Sequence, residues 1–373
     1  MRSLADVVAA LELRYPPSRA ADWDAVGLVC GAPDDTVEKV LFAVDPVAAS
    51  VREAIDTGSQ LLVTHHPLFL SGVHGVPATS YKGRLVHDLI RNGIGLYVAH
   101  TNADSANPGV SDALAATLGL TDLRPLAPQP ADARDVVVVF VPAEDTDKLV
   151  DALSAAGAGA VGDYSRCAWL GTGIGTFLPG DGASPVLGRV GSVARVPETR
   201  VEMVLSRERR AAVQKALVGA HPYEEPAYSF IEVAELHGRR GTGRIGRLIE
   251  PMLLAAFAEH VTRGLPRAPA GIRTAGDLGT TVTTVAVCGG AGDSLLDAAT
   301  AAGVDAYVTA DLRHHRVSEH LEGGGPAVID AGHWATEWPW LAAAADLLRA
   351  DLEGAVQIAV SQLVTDPWTQ HTY

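Results

Sequence analysis

The chain has 373 residues, 47% of them hydrophobic and 20% charged, with a mean hydropathy of +0.15; that supplies ample apolar surface for packed cores and argues against extended disorder. Acidic residues outnumber Lys and Arg by 44 to 29, a formal charge of -15, which excludes a general attraction for nucleic acid or an anionic membrane surface. Cys30, Cys167 and Cys288 stand far apart with no C-x-x-C, so neither a disulfide framework nor a thiolate zinc site is indicated.

The opening "MRSLADVVAALELRYPP" sets Leu4, Val7, Val8 and Leu11 at helical spacing, broken by Asp6 and Glu12, and reads as an amphipathic helix rather than a signal core. No stretch approaches the roughly 20 apolar residues of a membrane span, and the cytoplasm is the expected location. β-rich runs follow at 40–44 (VLFAV), 60–64 (QLLVT), 95–99 (GLYVA), 284–288 (TVAVC), 306–310 (AYVTA), 326–330 (PAVID) and 356–361 (VQIAVS). Helical stretches at 47–58 and 294–303 separate some of them, which predicts an α/β architecture with largely buried strands.

The middle differs. Between Asp135 and Val233, the runs "VVVVFVP", "VEMVLS" and "YSFIEV" flank two helical stretches in a β-α-β…β-α-β alternation that suits a ferredoxin-like module. Pro/Ala-rich 126–135 and Gly/Arg-rich 235–246 read as linkers. Residues 131–246 are therefore expected to be an insertion into an outer domain made of 1–130 and 247–373.

Without the insertion an internal echo emerges. "AIDTGSQLLVTHH" and "ATAAGVDAYVTAD" share Ala, Gly four residues on, and Val-Thr after five more. The next strands end in "AHTNAD", with His100 and Asp104, and in "DAGHWATE", with His333 and Glu337. A duplicated unit whose halves face one another is the expectation.

His65, His66, His100, Asp104, His333 and Glu337 all fall just after predicted strands, where ligands collect in open α/β sheets. On a strand, adjacent side chains point to opposite faces, so His65 and His66 serve one site only where the strand has ended. Taken alone, each histidine fits a surface or hydrogen-bonded core role; the His-His pair and two H-x-x-x-[DE] endings together point to a metal. Imidazole and carboxylate without thiolate suit Zn, Fe, Mn, Co or Ni without choosing among them. Such a set can hold two divalent ions roughly 3.5–4 Å apart and keep positions for water.

"WDAVGLVCG" (23–31), "VTHHPLF" (63–69), "AHTNADSANPGVSDALA" (99–115), "AVCGGAGDSLL" (286–296), "YVTADLRHH" (307–315) and "DAGHWATE" (330–337) together resemble the NIF3-like family, also known as GTP cyclohydrolase 1 type 2 homologues. "GDYSRCAW" (162–169), "FLPGDGASPVLG" (177–188) and "AHPYEEPAYSF" (220–230) resemble the PII/CutA-like insert of its longer members. The resemblance implies a homohexameric toroid with a dinuclear metal centre in each subunit. The ligands it implies are His65, His66, Asp104, His333 and Glu337, with Glu337 bridging, and it places His100 near the metals as a proton carrier or a supporting residue. Ala25, Ala310 and Arg316 depart from the family's usual Asn, Gly and acidic residue.

Other features weigh less. "CGGAGDS" (288–294) lacks the Walker lysine and the full dinucleotide fingerprint and reads as a tight strand-to-helix turn. His314 and His315 read as a solvated helix start, "HPYEEP" (221–226) as a rigid exposed turn or subunit contact, and Trp334, Trp338 and Trp340 as packing. The expected function is a metal-dependent hydrolase with a guanine nucleotide or a phosphoester as substrate and His100 as proton shuttle; the competing expectation is a non-enzymatic, metal-binding hexameric regulator or adaptor.

Overall fold

The computed structural model describes residues 1–234 and 237–372. The chain divides into two compact units, Met1–Gln129 with Arg239–Tyr373, and Pro130–Gly238.

Among the described residues, the first unit carries two large sheets. One runs in the order Gln357–Val360, Lys39–Ala43, Leu61–Thr64, Gly95–Val98, Gly27–Cys30; all its pairings are parallel except the last. The other runs Arg273–Ala275, Ala327–Asp330, Ala306–Ala310, Thr281–Ala291, His237–Leu253, Thr121–Pro130. Its parallel strands are Thr281–Ala291, Ala306–Ala310 and Ala327–Asp330. The halves match in topology: each has three consecutive parallel strands, and an earlier short strand lies antiparallel beside the third of them.

Leu61–Thr64, Gly95–Val98 and Ala327–Asp330 are buried throughout. Parallel strands need cover on both faces, and their continuous apolar runs supply the surface that is covered. Helix Leu4–Arg14 starts with a capping box, in which Ser3 Oγ accepts from Asp6 N–H and Asp6 Oδ2 from Ser3 N–H, each at 3.1 Å. Its Leu4, Val7 and Leu11 enter the core. Helix His333–Asp351 packs on helix Val110–Thr117 and touches strands of both sheets. Its Trp334 and Trp340 are core residues, with Trp340 edge-on to Tyr15 and Phe42, so these tryptophans do pack as their sequence context indicates.

The second unit has an antiparallel sheet in the order Tyr228–Glu232, Arg134–Pro142, Ala194–Ser206, Trp169–Phe177. Counted along the chain this is order 4-1-3-2, with helices Thr146–Ala155 and Arg210–Ala220 after the first and third strands, the ferredoxin-like arrangement. Leu149, Leu153, Val213 and Leu217 of the helices cover Val137, Val139, Val201 and Met203.

The linker assignments need correction. Residues 239–246 fall in the first unit, and most of 126–135 is strand as well. The glycines that suggested a linker answer to neighbouring strands: a Cβ on Gly246 would lie 2.7 Å from the Leu123 side chain, and one on Gly243 3.1 Å from Val287 O. The prolines of Thr121–Pro130 are tolerated because that strand is at the sheet edge. Among the described residues, no helix is long and apolar enough to cross a membrane.

Candidate metal centre

Strand Leu61–Thr64 delivers the paired histidines. Beyond Thr64 the His65 and His66 amides both donate to Val44 O, at 3.1 and 3.0 Å, and Thr64 Oγ1 donates to His66 O at 2.9 Å. Regular alternation ends there, so both rings turn to one side, with centroids 5.1 Å apart. His100 is the N-cap residue of the short helix that carries Asp104. His333 and Glu337 lie one turn apart at the start of helix His333–Asp351, where side chains spaced by four share a face.

All six sequence-predicted residues meet. Glu337 Oε1 lies 3.0 Å from His333 Nε2 and 3.4 Å from His65 Nε2, while Glu337 Oε2 lies 3.1 Å from His66 Nε2. Asp104 Oδ1 is 3.7 Å from His65 Nε2, and the His100 ring centroid is 5.2 Å from that of His65 and 5.6 Å from that of His66. Among the described residues, two overlapping groups, His65-His66-His100 and His66-His333-Glu337, each have ligand atoms within 4.8 Å of one another. His314 and His315 belong to neither group; both are exposed, and their neighbours Arg313 and Arg316 bond to Asp293.

Every imidazole has its Nδ1 engaged by an oxygen. His66 Nδ1 meets Asp45 at 2.7 Å, His333 Nδ1 meets Asp311 at 2.7 Å, His100 Nδ1 meets Asp24 at 2.9 Å, and His65 Nδ1 meets Ala99 O at 2.8 Å. A carbonyl or carboxylate only accepts, so each Nδ1 carries the hydrogen and each neutral ring presents an Nε2 lone pair. The Nε2 atoms of His66 and His333 then confront one another at 3.1 Å, an arrangement that needs a cation or proton to satisfy it. His65 Nε2 and Glu337 Oε2 are buried without a hydrogen-bond partner. Histidine and carboxylate ligands at about 2.0–2.2 Å from one ion stand roughly 3 Å or slightly more from each other, so the donor set fits a divalent metal. The oxygens on Nδ1 are the outer supports typical of metal-bound histidines.

Electrostatics agree. Burial favours neutral rings, yet the Glu337 carboxylate outweighs it and raises His66 to about 11, His333 to about 10, and His65 as well. Glu337 is held well below the usual carboxylate range: burial opposes this, but His66, His65 and His333 prevail. Burial raises Asp104 to about 6. Burial and the neighbouring His65 lower His100. Without an ion, protons on the rings balance the buried carboxylate.

The supports Asp24, Asp45 and Asp311 were not singled out from sequence, although Asp45 and Asp311 directly follow buried strand runs. Asp24 accepts from Thr101 N–H at 3.0 Å and Thr101 Oγ1–H at 2.5 Å as well as from His100. Asp311 has φ 56°, a left-handed conformation that Asp tolerates.

A two-sheet α/β unit with a histidine–carboxylate cluster at strand ends defines a metal-binding type of α/β protein. The chain belongs to the Duf34/NIF3 (NGG1p interacting factor 3) family, whose model matches residues 2–367. It is 50% identical over 366 residues to the GTP cyclohydrolase 1 type 2 homolog of Mycobacterium leprae, covering 98% of this chain and 94% of that one. Among solved structures, a Bacillus cereus protein related to NIF3 superposes with a TM-score of 0.82 at 36% identity, and a Staphylococcus aureus protein with 0.83 at 26%, each covering 99% of both chains.

Proposed function

We propose that the chain is a metal-dependent hydrolase with a dinuclear centre, held by His65, His66, Asp104, His333 and Glu337 with Glu337 shared. The carrying observation is the convergence of ring Nε2 atoms on Glu337 while every Nδ1 hydrogen is committed elsewhere. Divalent ions of the Zn, Fe, Mn, Co or Ni type supply Lewis acidity that acidifies water toward neutrality and polarises the bond under attack.

His100 is the proton carrier in this reading. Its Nδ1–H donates to Asp24, which leaves Nε2 to accept a proton from attacking water and return it to the leaving group. Burial keeps the ring neutral near pH 7, the form that accepts. Hydrolytic opening of a guanine nucleotide's purine ring, the activity suggested by the relatives' name, and phosphoester cleavage would use the same apparatus. The second unit's 4-1-3-2 sheet order supports reading it as a PII/CutA-like insert. A cytoplasmic homohexamer, the assembly the family resemblance implies, completes the proposal.

The test is metal analysis of the purified protein coupled to a hydrolysis screen across nucleotides and phosphoesters, with Glu337→Ala as control. Two equivalents of metal per chain, with turnover that disappears together with the metal in the variant, are expected. Turnover that survives metal loss would overturn the reading. A full metal complement without turnover would favour a non-enzymatic regulator or adaptor.

A further inference from the structure

We propose that the helix-free face of the second unit's sheet binds a small organic cation, an ammonium or guanidinium group on an apolar body. This site is separate from the metal cluster and independent of the hydrolase reading.

Register defines the face. Directly paired residues of antiparallel strands share a face, so Arg200 aligns with Phe140 and Gly171, and Glu198 with Pro142 and Gly173. The helices cover the opposite face, which holds Val137, Val139, Val201 and Met203. On the open face lies a cavity of about 740 Å³, bordered by the sheet and by segments 177–187 and 223–227. That volume is in the range of small-molecule sites.

The strand "WLGTGIGTF" shapes the floor. Gly171, Gly173 and Gly175 alternate on the cavity face, framed by Trp169 and Phe177. A Cβ on Gly171 would lie 2.3 Å from the Trp169 indole, and one on Gly175 1.9 Å from the Glu198 carboxylate, whereas one on Gly173 would meet nothing within 4 Å. The outer glycines thus let an indole and a carboxylate lie flat against the strand, and Gly173 leaves an open slot. Aromatic side chains suit a cation because their ring faces carry partial negative charge.

Charge selects the ligand's sign. Glu198, Glu224 and Glu225 line the cavity against one cation, Arg200, which is already paired with Glu202 at 2.8 Å. The Tyr223 hydroxyl donates to Glu198 Oε1 at 2.8 Å and fixes that carboxylate. Ser184 N–H donates to Glu224 Oε2 at 3.0 Å, which ties together the two segments that border the cavity. "HPYEEP", expected to be an exposed turn or subunit contact, is therefore also a wall of this site.

Calorimetric titration of the full chain with 2-phenylethylamine, and with 3-phenylpropionate as its charge-reversed counterpart, tests the proposal. The expected result is saturable binding of the amine at one site per chain, with the carboxylate at least about tenfold weaker. Glu198→Gln should weaken the amine by about tenfold, and Gly173→Leu should block it by filling the slot, with each variant's fold checked by circular dichroism. Absence of saturable amine binding, equal binding of both probes, or binding indifferent to both variants would overturn it. So would a smaller assembly of Gly173→Leu in sedimentation with no amine binding by the parent chain, which would make this face a contact between copies.

Discussion

Gly290 lies directly against Glu337: a Cβ at position 290 would stand 2.2 Å from Glu337 Oε1 and 3.0 Å from His333 Nε2. Its φ of 66° also favours glycine, its N–H donates to Thr336 Oγ1 at 2.9 Å, and its carbonyl accepts from Thr309 Oγ1 at 3.0 Å. The glycine-rich turn after the strand is thus a wall of the candidate metal centre. Gly290→Ala must displace the shared carboxylate. Metal content measured on the purified variant is expected to fall well below that of the parent while the far-UV circular dichroism stays the same.

The supports of the histidines give a graded outcome. Asp45→Asn and Asp311→Asn keep shape but remove the charge that fixes the Nδ1–H tautomer of His66 and His333. Losing such a support typically costs about 10–100-fold in metal affinity. Competition with a chelator of known affinity should show a drop of that order for each variant. An unchanged affinity for both would mean that these rings do not bind metal through Nε2.

The cluster was legible in sequence because strand ends and H-x-x-x-[DE] spacing are local signals. His333 and Glu337 meet by helical periodicity alone, and His65 and His66 sit where a buried apolar run stops. Asp24 was not legible as a partner of His100, since the contact spans 76 positions and the carboxylate sits in a stretch without periodicity. The insert's strand Trp169–Phe177 escaped for another reason. Its alternating glycines erase the branched and aromatic signal of a strand, and they are there to shape a surface. The same holds for His237–Leu253, whose glycines accommodate neighbours that only the folded sheet supplies.

Arg244, 1% exposed, is the anchor of that strand. Its guanidinium meets both Asp112 oxygens, at 2.8 and 2.7 Å, and donates to the carbonyls of Gly241, Gly243 and Ala106. Asp112 in turn accepts from Gly109 N–H at 2.7 Å and so caps helix Val110–Thr117. Arg244→Ala leaves a shielded carboxylate and several carbonyls unpaired, and breaking one side of such a buried pair costs about 3–5 kcal/mol. Urea titration should show a loss of that order. Asp112→Asn should cost less in the Arg244→Ala background than in the parent, the signature of coupling between the two residues.

In the insert, Asp135 has no exposed surface and accepts from Arg210 Nε at 2.6 Å and Arg207 Nε at 3.1 Å; both arginines also reach Glu232. The Arg210 bond, against the cost of burial and with help from Arg207, lowers the Asp135 carboxyl below its ordinary value. A depressed carboxylate contributes stability that is complete above its unfolded pKa, about 3.9, and is lost as pH falls through the folded value. Asp135→Asn should therefore destabilise the insert at pH 7, by about 1–3 kcal/mol on the scale of a hydrogen bond to a charged group. Below about pH 4 the parent carboxyl becomes protonated too, so the gap should narrow. Hydrogen exchange of strand Arg134–Pro142, compared between parent and variant at pH 7 and at the acid edge, reads this directly. A gap that stays constant across that range would show that shape, not charge, makes Asp135 matter.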